Sequence, residues 1–160
     1  MPLHRAVEDG FADLDLTKPA DYAEFLRVHA MVIPPLEAAL ERIGIAGILP
    51  DWPRRRRASA LAEDLRALGA QVPEAESVRI APGAEALGVA YVLEGSRLGA
   101  AMLLKTLPES LPRAFLGHGR GEKLFQSFVP ILDTLEGKER EAATRGASQA
   151  FEMFLSHQSA

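Results

Sequence analysis

The chain contains no cysteine. Disulfides, a thiol nucleophile and thiolate ligation of a metal are therefore excluded. No run of 18 apolar residues occurs, and the N-terminus lacks the charged, apolar and small-residue order of a secretory signal. The expected location is the cytoplasm, with no membrane partner. Basic charge is not in excess: the net charge is -4, which argues against non-specific nucleic-acid binding while leaving room for a local basic pocket. Internal repeats and low-complexity tracts are absent, and no segment alternates apolar and polar residues over the length of a strand.

What remains is 160 residues, 48% hydrophobic and 25% charged, enough for one domain over 1–160 with a real core. Its periodicity is helical. Val7, Phe11 and Leu14 mark one face of a helix over 4–14. In "DLTKPADYAEFLRVHAMV", Pro19 suits a first helical turn, and Tyr22, Phe25, Leu26, His29 and Val32 follow at helical spacing. Pro34 and Pro35 are expected to break or kink that helix, and "PLEAALERIG" resumes it to a stop at Gly44. "IAGILPDWPRRRR" reads as a connector, "RASALAEDLRALGA" as an amphipathic helix and "QVPEAESVRIAPG" as a loop. A long helix is expected from about Ala84 to Leu104. Then come the irregular "PESLPRAFLGHGRG" and two closing helices over 121–136 and 138–156, parted by Gly137. The expected fold is all-α.

The long helix carries an anomaly. Gly88, Val92, Gly95 and Gly99 recur at helical spacing along one face, flanked by Ser96 and Ala100. Each glycine costs a helix interior roughly 1 kcal/mol relative to alanine. Leu87, Tyr91, Leu98 and Met102 are expected to form the packing face opposite this stripe. A stripped face admits a flat body against the main chain and makes bending cheap. It also permits close packing of another helix, and spacing alone leaves the two open.

"LGVAYVLEGSRLGA" resembles the distal-helix segment of bacterial heme oxygenases, in particular the branch found with bacteriophytochromes, whose pattern is roughly Y-V-x-E-G-S-x-L-G-G. "HRAVEDGFADLDL" is similar to the first helix of that family, where H-x-x-[VL]-[DE] supplies the heme-ligating histidine. "DYAEFLRVHAMVIPPLEAAL" and "QAFEMFL" resemble its second and closing helices. The resemblance implies an all-α pocket with heme between a proximal helix and a kinked, glycine-rich distal helix. It implies oxidative cleavage of heme to biliverdin, carbon monoxide and ferrous iron, using O2 and electrons from an external reductase. Heme is then substrate and cofactor at once, and the protein contributes positioning and electrostatics.

On this resemblance His4 is the axial ligand of the heme iron, matching the family's "H…DL" arrangement. Gly95, Ser96 and Gly99 are the distal catalytic segment, where ordered water carries a proton, with Ala100 beside them. Lys123, then Arg120, are the candidate cations for the heme propionates, and Phe151 is a candidate contact for the heme edge. Phe125 and Phe128 read as core. Without the resemblance, each histidine reads as surface or packing: His29 on an apolar helix face, His118 in a glycine-rich loop and His157 near the terminus. Arg54 to Arg57 form the strongest basic cluster, either a solvated run or a dock for an acidic electron donor such as a ferredoxin or flavodoxin. A bacteriophytochrome is the candidate acceptor of biliverdin. Two departures from the family pattern define an alternative, a heme-free sensor or protein-interaction module. Only three residues precede His4, and Ala100 stands where the family has a second glycine.

Overall fold

The computed structural model describes residues 2–158, and among them every regular element is helical. Seven α-helices follow in order: α1 (Pro2–Phe11), α2 (Pro19–Arg42), α3 (Trp52–Arg55), α4 (Ala58–Ala67), α5 (Ala84–Leu104), α6 (Leu124–Leu132) and α7 (Lys138–His157). A single 3-10 turn at Ile45–Gly47 joins α2 to the segment before α3. The core lies where α5 and α7 pack along each other, with α2 behind them and α4 against α2.

Several boundaries differ from the sequence expectation for identifiable reasons. The first helix stops at Phe11, short of Leu14. The Asp15 side chain accepts hydrogen bonds from the Thr17 N–H and hydroxyl, closing a local turn that competes with further helix. The second helix runs through Pro34 and Pro35 without ending, so that of the expected break or kink the break does not occur. Interior prolines cost a helix about 3 kcal/mol or more. Here Val32, Ile33, Leu36, Ala39 and Leu40 are buried on both sides of them, and that packing holds the helix together. It ends at Arg42, and Gly44, just past the cap residue Ile43, takes the left-handed φ of 82° that favours a residue without a Cβ. The connector holds the short α3. The penultimate helix starts only at Leu124, because Gly121 and Lys123 are in the left-handed region at φ 84° and 54°.

Side chains of one helix fasten segments far from it. The Glu37 carboxylate of α2 accepts the Arg57 N–H (2.7 Å) and the Ala58 N–H (3.2 Å), capping α4 from outside. Asp64 of α4 accepts the N–H groups of Ala114 (3.1 Å) and Phe115 (2.9 Å), and the Tyr22 hydroxyl donates to the Pro112 carbonyl at 2.7 Å. The irregular 105–123 segment is thereby held against α2 and α4. His29 is buried among Phe11, Phe25, Phe115 and Phe154, and its Nδ1–H donates to the Phe25 carbonyl at 2.8 Å. It is a satisfied core histidine.

Helix α5 is the one helix among the described residues long and apolar enough to cross a membrane by length and composition. Here it is the central helix of the bundle, and half of its apolar window is buried by α7, α6 and α2. The glycine stripe is not uniform along it. A Cβ on Gly88 would overlap the Ala143 carbonyl of α7, and one on Gly146 of α7 would overlap the Glu85 carbonyl of α5. In that half the stripe serves helix–helix contact. At Gly99 a Cβ would meet nothing within 4 Å, and at Gly95 only the edge of Phe125, at 3.7 Å.

Two outcomes follow. Gly88→Ala should destabilise the fold by about 2 kcal/mol through forced separation of two backbones. Gly99→Ala should stabilise it by about 0.5–1 kcal/mol, since only helix propensity changes. Urea unfolding of the two variants checks both signs. Burial pulls the His29 imidazole down to about 4. The unfolded chain therefore binds more protons between that value and the free-histidine value near 6.5, and stability falls as pH drops through this window. His29→Asn, which keeps an N–H donor, should remove up to about 3 kcal/mol of that pH dependence, measured as the unfolding midpoint between pH 7 and 4.

Candidate functional site

The exposed half of α5 begins where its cover by α7 ends. Beyond the buried Val92 and Leu93, Gly99 is exposed, and so are two large apolar residues, Leu98 (48% exposed) and Met102 (70%). Tyr91 is 37% exposed, and its ring lies 6.2 Å from that of Phe125 on α6. Only Leu87 of the expected packing face is buried; Tyr91, Leu98 and Met102 are not. The helical wheel explains the correction, because Leu98 sits only about 60° round the axis from Gly95. These residues border the bare backbone instead of opposing it. Ala100 is buried, so its methyl points into the bundle and not into the open side.

What opposes the bare face is polar. Glu94, 2% exposed, accepts hydrogen bonds from Arg55 and from Arg97, the latter at 3.0 Å and 3.1 Å. Arg55 also reaches the Leu124 carbonyl (2.8 Å) and the Ser127 hydroxyl (2.9 Å) of α6, and Arg97 donates to the Arg55 carbonyl at 2.6 Å. Arg57, equally buried, donates to the Leu93 carbonyl and to Ser96 Oγ (2.8 Å), and lies over the Phe115 ring. Its Nε has no partner, and burial, together with neighbouring Arg97, pulls the guanidinium down to about 10. Arg57 thus remains charged at neutral pH. The Ser96 hydroxyl, held by Arg57, itself donates to the Leu93 carbonyl at 2.7 Å. Glu94 and Ser96 therefore tie α5 to the 55–57 segment and α6 and turn Gly95 between them outward.

The arginine run is accordingly not a solvated patch. Arg54 pairs with Glu122 and Arg56 with Glu41 at the surface, while Arg55 and Arg57 point inward. Its alternation was a usable signal, as was a lone glutamate within the apolar stretch 86–104, which must find cations once buried. Sequence reading missed both.

His4 lies on α1 with its side chain 57% exposed. Its Nε2 is 3.4 Å from the Glu8 carboxylate one turn on, and its ring meets Phe151 of α7 edge-on at 5.8 Å. Phe151 itself is buried. A carboxylate beside a ring nitrogen is the kind of partner that orients a metal-binding imidazole. The open space at Gly99 and the exposed Leu98 and Met102 give α5 a surface suited to a flat, largely apolar body, while α1, which carries His4, packs against α7. Lys123 and Arg120 come together elsewhere, in a cavity of about 490 Å³ on another flank of α5. Leu98 and Phe125 belong to its lining; His4, Gly95 and Gly99 do not.

The family model described as Heme oxygenase matches residues 14–158. Heme oxygenase PigA of Pseudomonas aeruginosa is 38% identical over 146 residues, 84% of this chain and 74% of its own length. A heme oxygenase of Xanthomonas campestris pv. campestris is 33% identical over 108 residues, 68% of this chain and 62% of its own. The crystal structure of NO- and CO-bound heme oxygenase from Neisseria meningitidis shares the fold at a TM-score of 0.72 and 22% identity, covering 89% of this chain and 77% of that one.

Replacing Glu94 by Leu should leave the buried Arg97 without a counter-charge and Arg55 with Asp51 alone, at 2.7 Å, and cost about 3–5 kcal/mol, read from chemical unfolding.

Proposed function

The chain belongs to the heme oxygenase family, and from that premise we propose that it binds heme between α1 and the exposed half of α5 and cleaves it oxidatively to biliverdin, carbon monoxide and ferrous iron. The observation that carries this reading is the juxtaposition within one helix of a half pinned by α7 and a half with open space at Gly99. Bound heme supplies the iron that activates O2, and its own macrocycle is what is oxidised.

The chain's residues do the rest. His4 would hold the heme iron, with the Glu8 carboxylate one turn on orienting its ring. Phe151 fixes the tilt of the imidazole from its edge. Gly95 and Gly99 let the porphyrin lie on main chain, with Leu98 and Met102 as apolar rim and Ala100 beneath. Ser96 is fixed in place by Arg57, so that water held on this segment has a constant donor and acceptor beside it. Lys123 and Arg120, the propionate cations of the family resemblance, line the separate cavity instead and are given no role in heme binding. Electrons come from a separate reductase of ferredoxin or flavodoxin type, and a bacteriophytochrome is the acceptor the resemblance offers for biliverdin; both fit a cytoplasmic setting. The heme-free alternative draws on one observation: His4 lies outside the stretch matched by the family model and is largely exposed.

Titration of the protein with hemin should give a Soret band at micromolar concentration, and reductant with O2 should convert it to a bilin spectrum. His4→Ala should abolish both. Gly99→Leu should weaken hemin binding by tenfold or more, about 1.4 kcal/mol, without loss of fold, because the added side chain occupies only the porphyrin's space. An unchanged baseline on adding hemin to the parent protein would favour the heme-free reading.

A further inference from the structure

The cavity that collects Lys123 and Arg120 has a chemistry of its own. Ala101, Leu104 and Lys105, which line it from α5, lie about 80° to 180° round the helix from Gly95, away from the bare face. No aspartate or glutamate lines it. Lys105, Arg120 and Lys123 are exposed, and their side chains have no hydrogen-bond or ion-pair partner among the described residues. Arg113, also lining it, is occupied by the Pro108 carbonyl at 2.8 Å. Leu98, Leu104, Leu116 and Phe125 supply an apolar part of the wall, beside Arg97 and Gln126.

Two features make this more than a group of surface cations. The first is His118, which lines the cavity and whose Nδ1 lies 3.0 Å from Arg97 Nη1. A guanidinium can only donate, so Nδ1 accepts, and the neutral ring must carry its proton on Nε2. Burial, reinforced by Arg97, holds the His118 imidazole below its ordinary value, in the neutral form. This histidine is thus fixed as an N–H donor and has no lone pair left for a metal. The second is the start of α6. It has no side-chain cap and no acidic residue in its first turn, and Leu124, Phe125 and Gln126 of that turn line the cavity. Lys123, directly before it, is the one described non-glycine residue at positive φ, an outlier that costs about 1 kcal/mol or more.

We propose that this cavity is a binding site, separate from the porphyrin face, for a small molecule that carries a carboxylate or phosphate on an apolar body. The anion is held by Lys105, Arg120, Lys123, the His118 Nε2–H and the open N–H groups of α6, and the body lies against Leu98, Leu104 and Phe125. This assigns Lys123 and Arg120 to a ligand other than the heme propionates, so it stands or falls independently of heme binding.

Calorimetric titration with 2-naphthoate and with 1-naphthyl phosphate tests it. The parent protein should bind at least one of them saturably, and the tighter of the two names the anion. Uncharged 2-naphthalenemethanol should bind at least tenfold more weakly. Substitution of Lys105, Arg120 and Lys123 together by Gln should lower affinity for the anion at least tenfold, with the hemin titration unchanged. Lys123→Gly should lower that affinity while raising the unfolding midpoint, because it removes a cation and a strained backbone together. Failure of the parent to bind either anion at millimolar concentration overturns the proposal. So does a parallel loss of hemin affinity in the triple variant, which would return these cations to the porphyrin carboxylates. A parent that binds naphthoate but no hemin defeats the heme reading and leaves this site standing.

Discussion

Two backbones touch where Gly88 of α5 meets Ala143 and Gly146 of α7 meets Glu85, and the rest of the molecule is arranged around that contact. No side chain can be inserted there without separating the helices. The crossing fixes how far α7 covers α5 and therefore where cover ends. Up to Leu93 the helix is core. From Gly95 to Met102 it carries exposed glycine, leucine and methionine, an unusual composition for a surface helix.

The polar network on the inner side makes that exposure directional. Glu94, Arg55, Arg57, Arg97 and Ser96 join α5 to the segment before α4 and to the first turn of α6. Buried ion pairs contribute little net stability, but they fix geometry, since every alternative leaves a charge unpaired in a medium of low dielectric. Here they set the rotation of α5 about its axis. The three residues Glu94, Gly95 and Ser96 act as one unit, with the two polar neighbours pointing in and the glycine pointing out.

Much of this was legible in the sequence. The all-α architecture, the span of the long helix from Ala84 to Leu104 and the close of the chain on a helix from Lys138 followed from periodicity and from Gly137. The family followed from the residues around Gly95. What periodicity could not supply was tertiary. It gave the glycines a single role, whereas contact with α7 divides them into a packing half and an open half. It expected a break or kink at Pro34 and Pro35 in a helix that burial on both sides carries through without interruption. It counted four arginines as one patch, because only the partner carboxylates Glu94, Glu41 and Glu122, distant in sequence, decide which face inward. The cationic cavity likewise depends on the 113–123 segment folding back on α5, held by Asp64 and Tyr22 from other helices.

The proposed activity requires iron held by His4 above uncovered main chain. A crystal structure of the protein with hemin decides it. An iron–nitrogen bond to the His4 imidazole, with the porphyrin plane lying on the backbone between Gly95 and Gly99, is the expected result. A porphyrin lodged elsewhere, with the His4 ring still turned to Glu8 and solvent, would contradict it.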